Sequence, residues 1–230
     1  VLIKAPPPSI ESRLLPKGRL EALTDGIFAV TMTLLVLDLK LPQHIDFGDS
    51  MGAALADMLP RFDHYVISFI VLCLFWVAHL RMMRHVREID PPFLWLNLGF
   101  LLCTTFVPAF TAFVGDNPGH PRPAILYGMN LMAILSCEAA MWRRALLHLA
   151  NDTVTEPLAM WHWVRERFLF GLAVVAIGMG LAVAQAQLGM HTRYASYVYL
   201  LLLGAGILDP KLRFARAVRR LRNVFSASRE

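Results

Sequence analysis

The chain has 230 residues, of which 57% are hydrophobic and only 17% charged, with a formal net charge of +5. Soluble domains average about 45–50% apolar and about 25% charged residues. This composition therefore excludes an ordinary soluble domain and points to an all-α, polytopic membrane protein whose surface meets lipid, in keeping with a mean hydropathy of +0.51. The three cysteines (Cys73, Cys103, Cys137) sit singly inside apolar runs, which argues against a disulfide framework or a zinc site.

In chain order, residues 1–18 are proline-rich, lack a continuous apolar core and do not read as a cleaved signal peptide. A first apolar helix is predicted from about Arg19 to Leu41, stopping at Pro42. It carries Arg19, Glu21 and Asp25 at one end and Asp38 at the other, with only twelve uncharged residues between the two aspartates. A span that faces lipid on all sides needs roughly 20 apolar residues, so these acids must face protein or water. The loop 43–59 is acidic (Asp46, Asp49, Asp57) and ends at Pro60; its middle, SMGAALADML, has the composition of a short surface helix. A second membrane helix is expected over about 62–83. A third follows Pro91-Pro92 and runs to Gly115, 25 residues without Lys, Arg, Asp or Glu. The turn cluster GDNPGHPRP separates it from a fourth, about 123–148, with Glu138 toward its second end. Residues 150–166 read as a polar connection at the interface through Trp161 and Trp163. A fifth helix is expected over about 168–189 and a sixth over about 194–208, ended by Asp209-Pro210.

Six spans with the N-terminus inside place eighteen of the 22 basic residues on one side and only Lys40, Arg61, Arg122 and Arg193 on the other. The positive-inside rule then puts both termini in the cytoplasm. The organisation expected is a cytoplasmic segment 1–18, a transmembrane domain 19–209 and a basic cytoplasmic tail 210–230. The net positive charge reflects membrane orientation and is no sign of nucleic-acid binding. The tail, KLRFARAVRRLRNVFSASRE, is basic and amphipathic, suited to lying on anionic lipid headgroups or to binding a partner.

On a helical wheel at 100° per residue, Leu23, Val30, Leu34, Leu37 and Leu41 share a narrow face of the first helix. Thr33 lies on its flank, and Asp25 points roughly opposite. Such a stripe packs against protein more often than it lines a pore, and residue type alone leaves both readings open. Asp25 needs a partner, because an unpaired carboxylate in low dielectric is costly. The antiparallel second helix brings Trp76 and His79, three apart and so on one face, to the level of Asp25. An Arg19–Asp25–Trp76–His79 polar cluster is geometrically feasible. His79 could equally be a core histidine bonded to backbone.

These residues carry a resemblance. Arg19-x-x-x-Leu23-Thr24-Asp25, followed by Ala29-Val30, Thr33-Leu34-Leu35 and Pro42, resembles the first-helix signature of the transmembrane protein 175 family of potassium channels. Phe75-Trp76-Val77-Ala78-His79 with Arg81 and Arg84 resembles the family's second-helix segment. Leu96-Asn97-Leu98 with Phe106-Val107-Pro108-Ala109-Phe110-Thr111 resembles its third. The match covers roughly residues 19–115. Leu23, Thr24 and Val30 stand where the family signature has Phe, Ser and a pore Ile.

The resemblance implies a homotetramer in the cell (inner) membrane, with the first helices around a central pore and no TVGYG loop. By position, Val30 would form the inner aliphatic constriction, Leu34 and Leu37 successive layers toward the outside, and Thr33 would offer hydroxyls beside the constriction. Arg19, Thr24, Asp25, Trp76 and His79 would support the pore helix. An apolar ring closes a pore by dewetting. Selectivity for potassium over sodium would be weak and come from dehydration at the neck, while Asp38 would concentrate cations at the outer mouth. No enzymatic activity is expected, and no cofactor or metal beyond the permeating potassium.

The competing reading is a proton-coupled secondary transporter using Asp25, His79 and Glu138 as titratable groups within the membrane. The chain shows no internal repeat and no matching pair of broken helices to support it. Neither HExxH nor GxSxG occurs, which disfavours an intramembrane enzyme. A sensor or scaffold subunit is the remaining class.

Overall fold

The computed structural model describes residues 16–37, 39, 51–117, 120–149, 157–188 and 198. Among them the order is α1 (Lys17–Leu37), α2 (Met51–Met83), α3 (Pro91–Thr105), α4 (Val107–Asp116), α5 (Pro121–His148) and α6 (Pro157–Gln187), with no strand. Five stretches are long and apolar enough to cross a membrane: Lys17–Leu37, Phe62–Met83, Pro91–Asp116, Pro121–His148 and Met160–Gln187. The chain is thus a multi-pass helical membrane protein. The expected sixth span, the outer loop with Asp38, Asp46 and Asp49, and the basic tail lie outside the described residues, save Val198.

Three boundaries differ from the sequence expectation. First, α2 runs from Met51 through Pro60 without a break, so the expected surface helix is continuous with the second span. Proline's φ is itself helical, and within a helix it removes one hydrogen bond without dictating a stop. Second, α6 begins at Pro157, so the expected interfacial connection is largely helical.

Third, the long uncharged run after Pro91 is two helices joined at Phe106. Pro108 has no N–H to give the Thr104 carbonyl, and its ring crowds that carbonyl. The Phe106 N–H bonds instead three residues back, to Cys103 O at 3.3 Å. Asn130 on α5 braces the joint beside that carbonyl, its Nδ2 donating to Cys103 O at 3.0 Å.

The start of α3 shows its cause in the sequence. Asp90 is extended (φ −96, ψ 162), and its carboxylate accepts from Phe93 N at 3.0 Å. Pro91 and Pro92 occupy positions where a missing N–H costs nothing. The second Asp90 oxygen accepts from Arg144 of α5. This end of the bundle gathers Lys17, Met83, Asp90 and Leu149, and the Arg87 N–H donates to Leu149 O at 3.1 Å.

The interior is apolar and aromatic. Phe28, Phe93, Phe100, Leu72, Met82, Ile89, Leu131 and Ile134 are fully enclosed, and the Phe28 and Phe100 rings meet with centroids 5.8 Å apart. α5 packs against α3, α4 and α6, while α1 leans on α2, α3 and α4. Against lipid there is little hydrophobic gain between helices, so close packing and interhelical hydrogen bonds carry the association.

Candidate functional site

α1 has two faces. Leu20, Thr24, Phe28, Thr31 and Leu35, spaced by three or four, are buried against the rest of the subunit. Leu23, Val30, Leu34 and Leu37 look away from it; Val30 is 57% and Leu37 72% exposed within the subunit. Thr33 is exposed beside them, and its Oγ1 donates to Val30 O at 2.8 Å. Gly26 and Ala29 are also exposed, and a Cβ built on Gly26 meets nothing within 4 Å.

Two separate polar groups tie α1 to its subunit, one at the exposed Asp25 and one at the buried Thr24. In one, Trp76 Nε1 of α2 donates to Asp25 Oδ1 at 2.8 Å. In the other, Asn97 of α3 sits between two helices: its Nδ2 donates to Thr24 Oγ1 at 3.2 Å, and its Oδ1 lies 2.8 Å from His79 Nε2. An amide oxygen only accepts, so this bond places the His79 proton on Nε2. The His79 ring stacks on Phe100 at 5.6 Å and 15°, and Phe100 in turn meets Phe28. Thr24, His79 and Asn97 are all buried, so each hydrogen bond here replaces one that water would otherwise make.

The single expected cluster is therefore divided. Asp25 pairs with Trp76, while Thr24 and His79 meet through Asn97. Arg19 is exposed, and among the described residues no ion pair joins it to Asp25. Six residues along a helix turn the side chain about 120° away and about 9 Å along the axis, which accounts for the separation. Asn97 went unassigned in the sequence reading. Its signal was present, as the only side-chain amide in the 25-residue uncharged run, but nothing local shows that it reaches two helices at once. Asp38 lies outside the described residues.

Glu138 is 2% exposed on α5, and its Oε1 has no hydrogen-bond partner. It shares no hydrogen bond with Asp25 or His79. A third polar group lies toward the opposite end of the bundle. Thr111 Oγ1 donates to Ser68 Oγ at 2.8 Å, and Ser68 Oγ is 3.1 Å from the Tyr127 hydroxyl. They border a small cleft that His64 also lines. Among the described residues no cluster of three His, Cys, Asp or Glu side chains is arranged to hold a metal ion.

Of the ionisable groups outside the spans, His85 has a shifted titration. Burial, and secondarily the Arg84 charge, hold its imidazole below the ordinary value of 6.5. Its Nδ1 is buried without a partner, and its ring lies 6.0 Å from that of Trp142.

Comparison with known proteins places this arrangement. The family profile of the endosomal/lysosomal potassium channel TMEM175 matches residues 19–108, the stretch that contains α1, Trp76, His79 and Asn97. A potassium channel of Streptomyces collinus is 33% identical over 178 residues, 74% of this chain and 84% of that one. The human endosomal/lysosomal proton channel TMEM175 is 29% identical over 199 residues, 82% of this chain but 39% of the human protein. The crystal structure of a lysosomal potassium-selective channel TMEM175 homolog from Chamaesiphon minutus matches 80% of this chain and 96% of its own, at 29% identity and a TM-score of 0.60. With its motif-bearing helices, its multi-pass fold and these relatives in agreement, the chain belongs to the TMEM175 family of potassium channels.

Proposed function

We propose that the chain is one subunit of a homotetrameric, weakly potassium-selective cation channel of the cell membrane, with the outward face of α1 as the pore wall. One observation carries this reading. α1 is fastened to its own subunit by Thr24, Asp25 and Phe28, yet turns Val30, Thr33, Leu34 and Leu37 away from it. Flanking acids make that helix unsuited to lipid on all sides. A carboxylate such as Asp25, exposed at the subunit surface with one hydrogen bond from the subunit's own side chains, calls for water or another protein surface.

In this reading Val30 forms the apolar constriction and Leu34 and Leu37 the layers beyond it. A neck of aliphatic side chains excludes water and hence ions until it widens. Thr33 supplies a hydroxyl beside the constriction, and Asp38 raises the cation concentration at the outer mouth. The Arg-rich end of the bundle faces the cytoplasm, and the basic tail rests on anionic lipid. Asp25, Trp76, Thr24, Asn97 and His79 keep the pore helix in register; Arg19 contributes from its exposed position at the inner end.

The test is potassium and sodium flux in reconstituted vesicles. Val30→Ala should raise potassium flux about tenfold, the ratio that about 1.4 kcal/mol provides, and blur potassium over sodium preference. Wild-type flux in assembled Val30→Ala channels would exclude Val30 as the constriction.

A proton-conducting reading has one observation in its favour, the name proton channel borne by the human relative. A pH-sensitive dye inside the same vesicles decides it. Proton entry that rises with Val30→Ala shares the pore; entry abolished by Asp25, His79 or Glu138 substitutions while potassium flux persists favours the carrier.

A further inference from the structure

Lys17 is the first residue of α1, a position where the positive end of the helix dipole disfavours a cation, and no acidic residue stands in that first turn. The tertiary structure supplies the compensation. Lys17 Nζ donates to Met83 O at 2.5 Å and to Val86 O at 3.2 Å, the carbonyls at and just beyond the C-terminus of α2. A helix C-terminus is where an ammonium is most stabilising. Glu21, one turn along α1, lies 3.5 Å from the same ammonium and orients it. The Lys17 side chain is 26% exposed, so water only partly screens these bonds.

The acceptors belong to a fixed junction. The segment after α2 is tied to α5 by Arg87 N to Leu149 O and by Asp90 to Arg144, and Asp90 also caps α3. Lys17 therefore connects the first residue of α1 to a point braced by α2, α3 and α5. The acceptors are backbone carbonyls, whose positions move only if α2 moves.

We propose that Lys17 is the inner mooring of the pore helix, a positioning residue that holds α1 at the rotation in which Val30 closes the neck. This rests on the reading of α1 as the pore wall. With the mooring cut, α1 keeps its Asp25 and Thr24 contacts but loses the constraint at its end, and the closed arrangement is populated less.

The experiment uses full-length channels in potassium-flux vesicles, with Cys73, Cys103 and Cys137 changed to Ala. In that background Lys17→Cys should raise basal potassium flux about tenfold, since hydrogen bonds from a charged donor are among the stronger ones a protein makes. Alkylating the assembled protein with 2-bromoethylamine rebuilds a lysine-like ammonium and should return flux to within about twofold of the parent, whereas a neutral alkylating reagent should not. A structural defect laid down during folding would not be reversed by this chemistry. Glu21→Gln, which leaves Lys17 in place but unoriented, should shift flux the same way by a smaller factor, and it reads the mooring if Lys17→Cys does not assemble. Unchanged flux in both variants, or equal effects of the charged and neutral reagents, overturns the proposal. Val30→Ala in parallel separates the failures: if it too leaves flux unchanged, the pore reading fails; if it raises flux while the Lys17 and Glu21 variants do not, only the mooring fails.

Discussion

α1 and α3 both turn an apolar surface out of the subunit, and the two surfaces differ in kind. On α3 and at its joint with α4 the exposed apolar side chains are bulky, Trp95, Leu102 and Phe106, with Thr105 beside them. On α1 small residues, Gly26, Ala29, Val30 and Thr33, stand among Leu23, Leu34, Val36 and Leu37. Large side chains suit a lipid boundary, whereas small residues let helices approach closely in membranes. The difference in residue size is the one the proposed reading needs, with α3 facing lipid and α1 facing other copies and a pore. The inward sides are correspondingly linked, since Asn97 of α3 is the residue that holds Thr24 of α1.

The strongest way to break this comparison is to place the same polar residue on each face. Val30→Asn should wet the neck and raise potassium flux by tenfold or more, again about 1.4 kcal/mol per factor of ten. Leu102→Asn should instead lower the yield of membrane-inserted protein and leave flux per assembled channel unchanged. Equal responses in a paired flux and yield measurement would erase the distinction between the faces. A smaller effect sharpens the link between them. Asn97→Leu leaves Thr24 and His79 without partners and should cost about 1–2 kcal/mol, the upper range for interhelical hydrogen bonds in membranes. It would be seen as a lower midpoint of thermal unfolding. An undisturbed midpoint in Asn97→Leu would remove Asn97 from the support of α1.

The smallest expected effect is acid sensitivity at the Arg-rich end. The folded protein holds His85 below its ordinary value of 6.5, so the unfolded chain binds the proton more readily. Stability is then fully present above about pH 6.5 and declines as pH falls below it, toward the folded value. His85→Gln should flatten that decline over the interval just below pH 6.5, the ordinary value. A wild-type midpoint that does not fall over this interval would contradict the assignment.

Much of this protein was legible along the chain. The apolar runs and the Pro91-Pro92 start announced the described spans, because length and periodicity are local properties. The stripe on α1 and the Trp76 partner of Asp25 followed from the 100° wheel and antiparallel packing. The Phe106 joint was missed although Pro108 was in view, since membrane helices tolerate proline where neighbouring helices support the backbone. The Asn130 side chain that braces the joint at Cys103 O lies on α5, 22 residues beyond Pro108.

By itself the sequence determined a helical multi-pass protein, its family motif and the polar punctuation of α1, all set by residues within a few turns of one another. Only the tertiary structure decided which polar groups meet. Asn97 joins Thr24 to His79, Lys17 reaches the end of α2, and Arg19 is left outside. The physical reason is reach. A hydrogen bond requires heavy atoms about 3 Å apart, and which side chains from separate helices arrive that close depends on how the helices rotate and cross, which no single stretch of chain encodes.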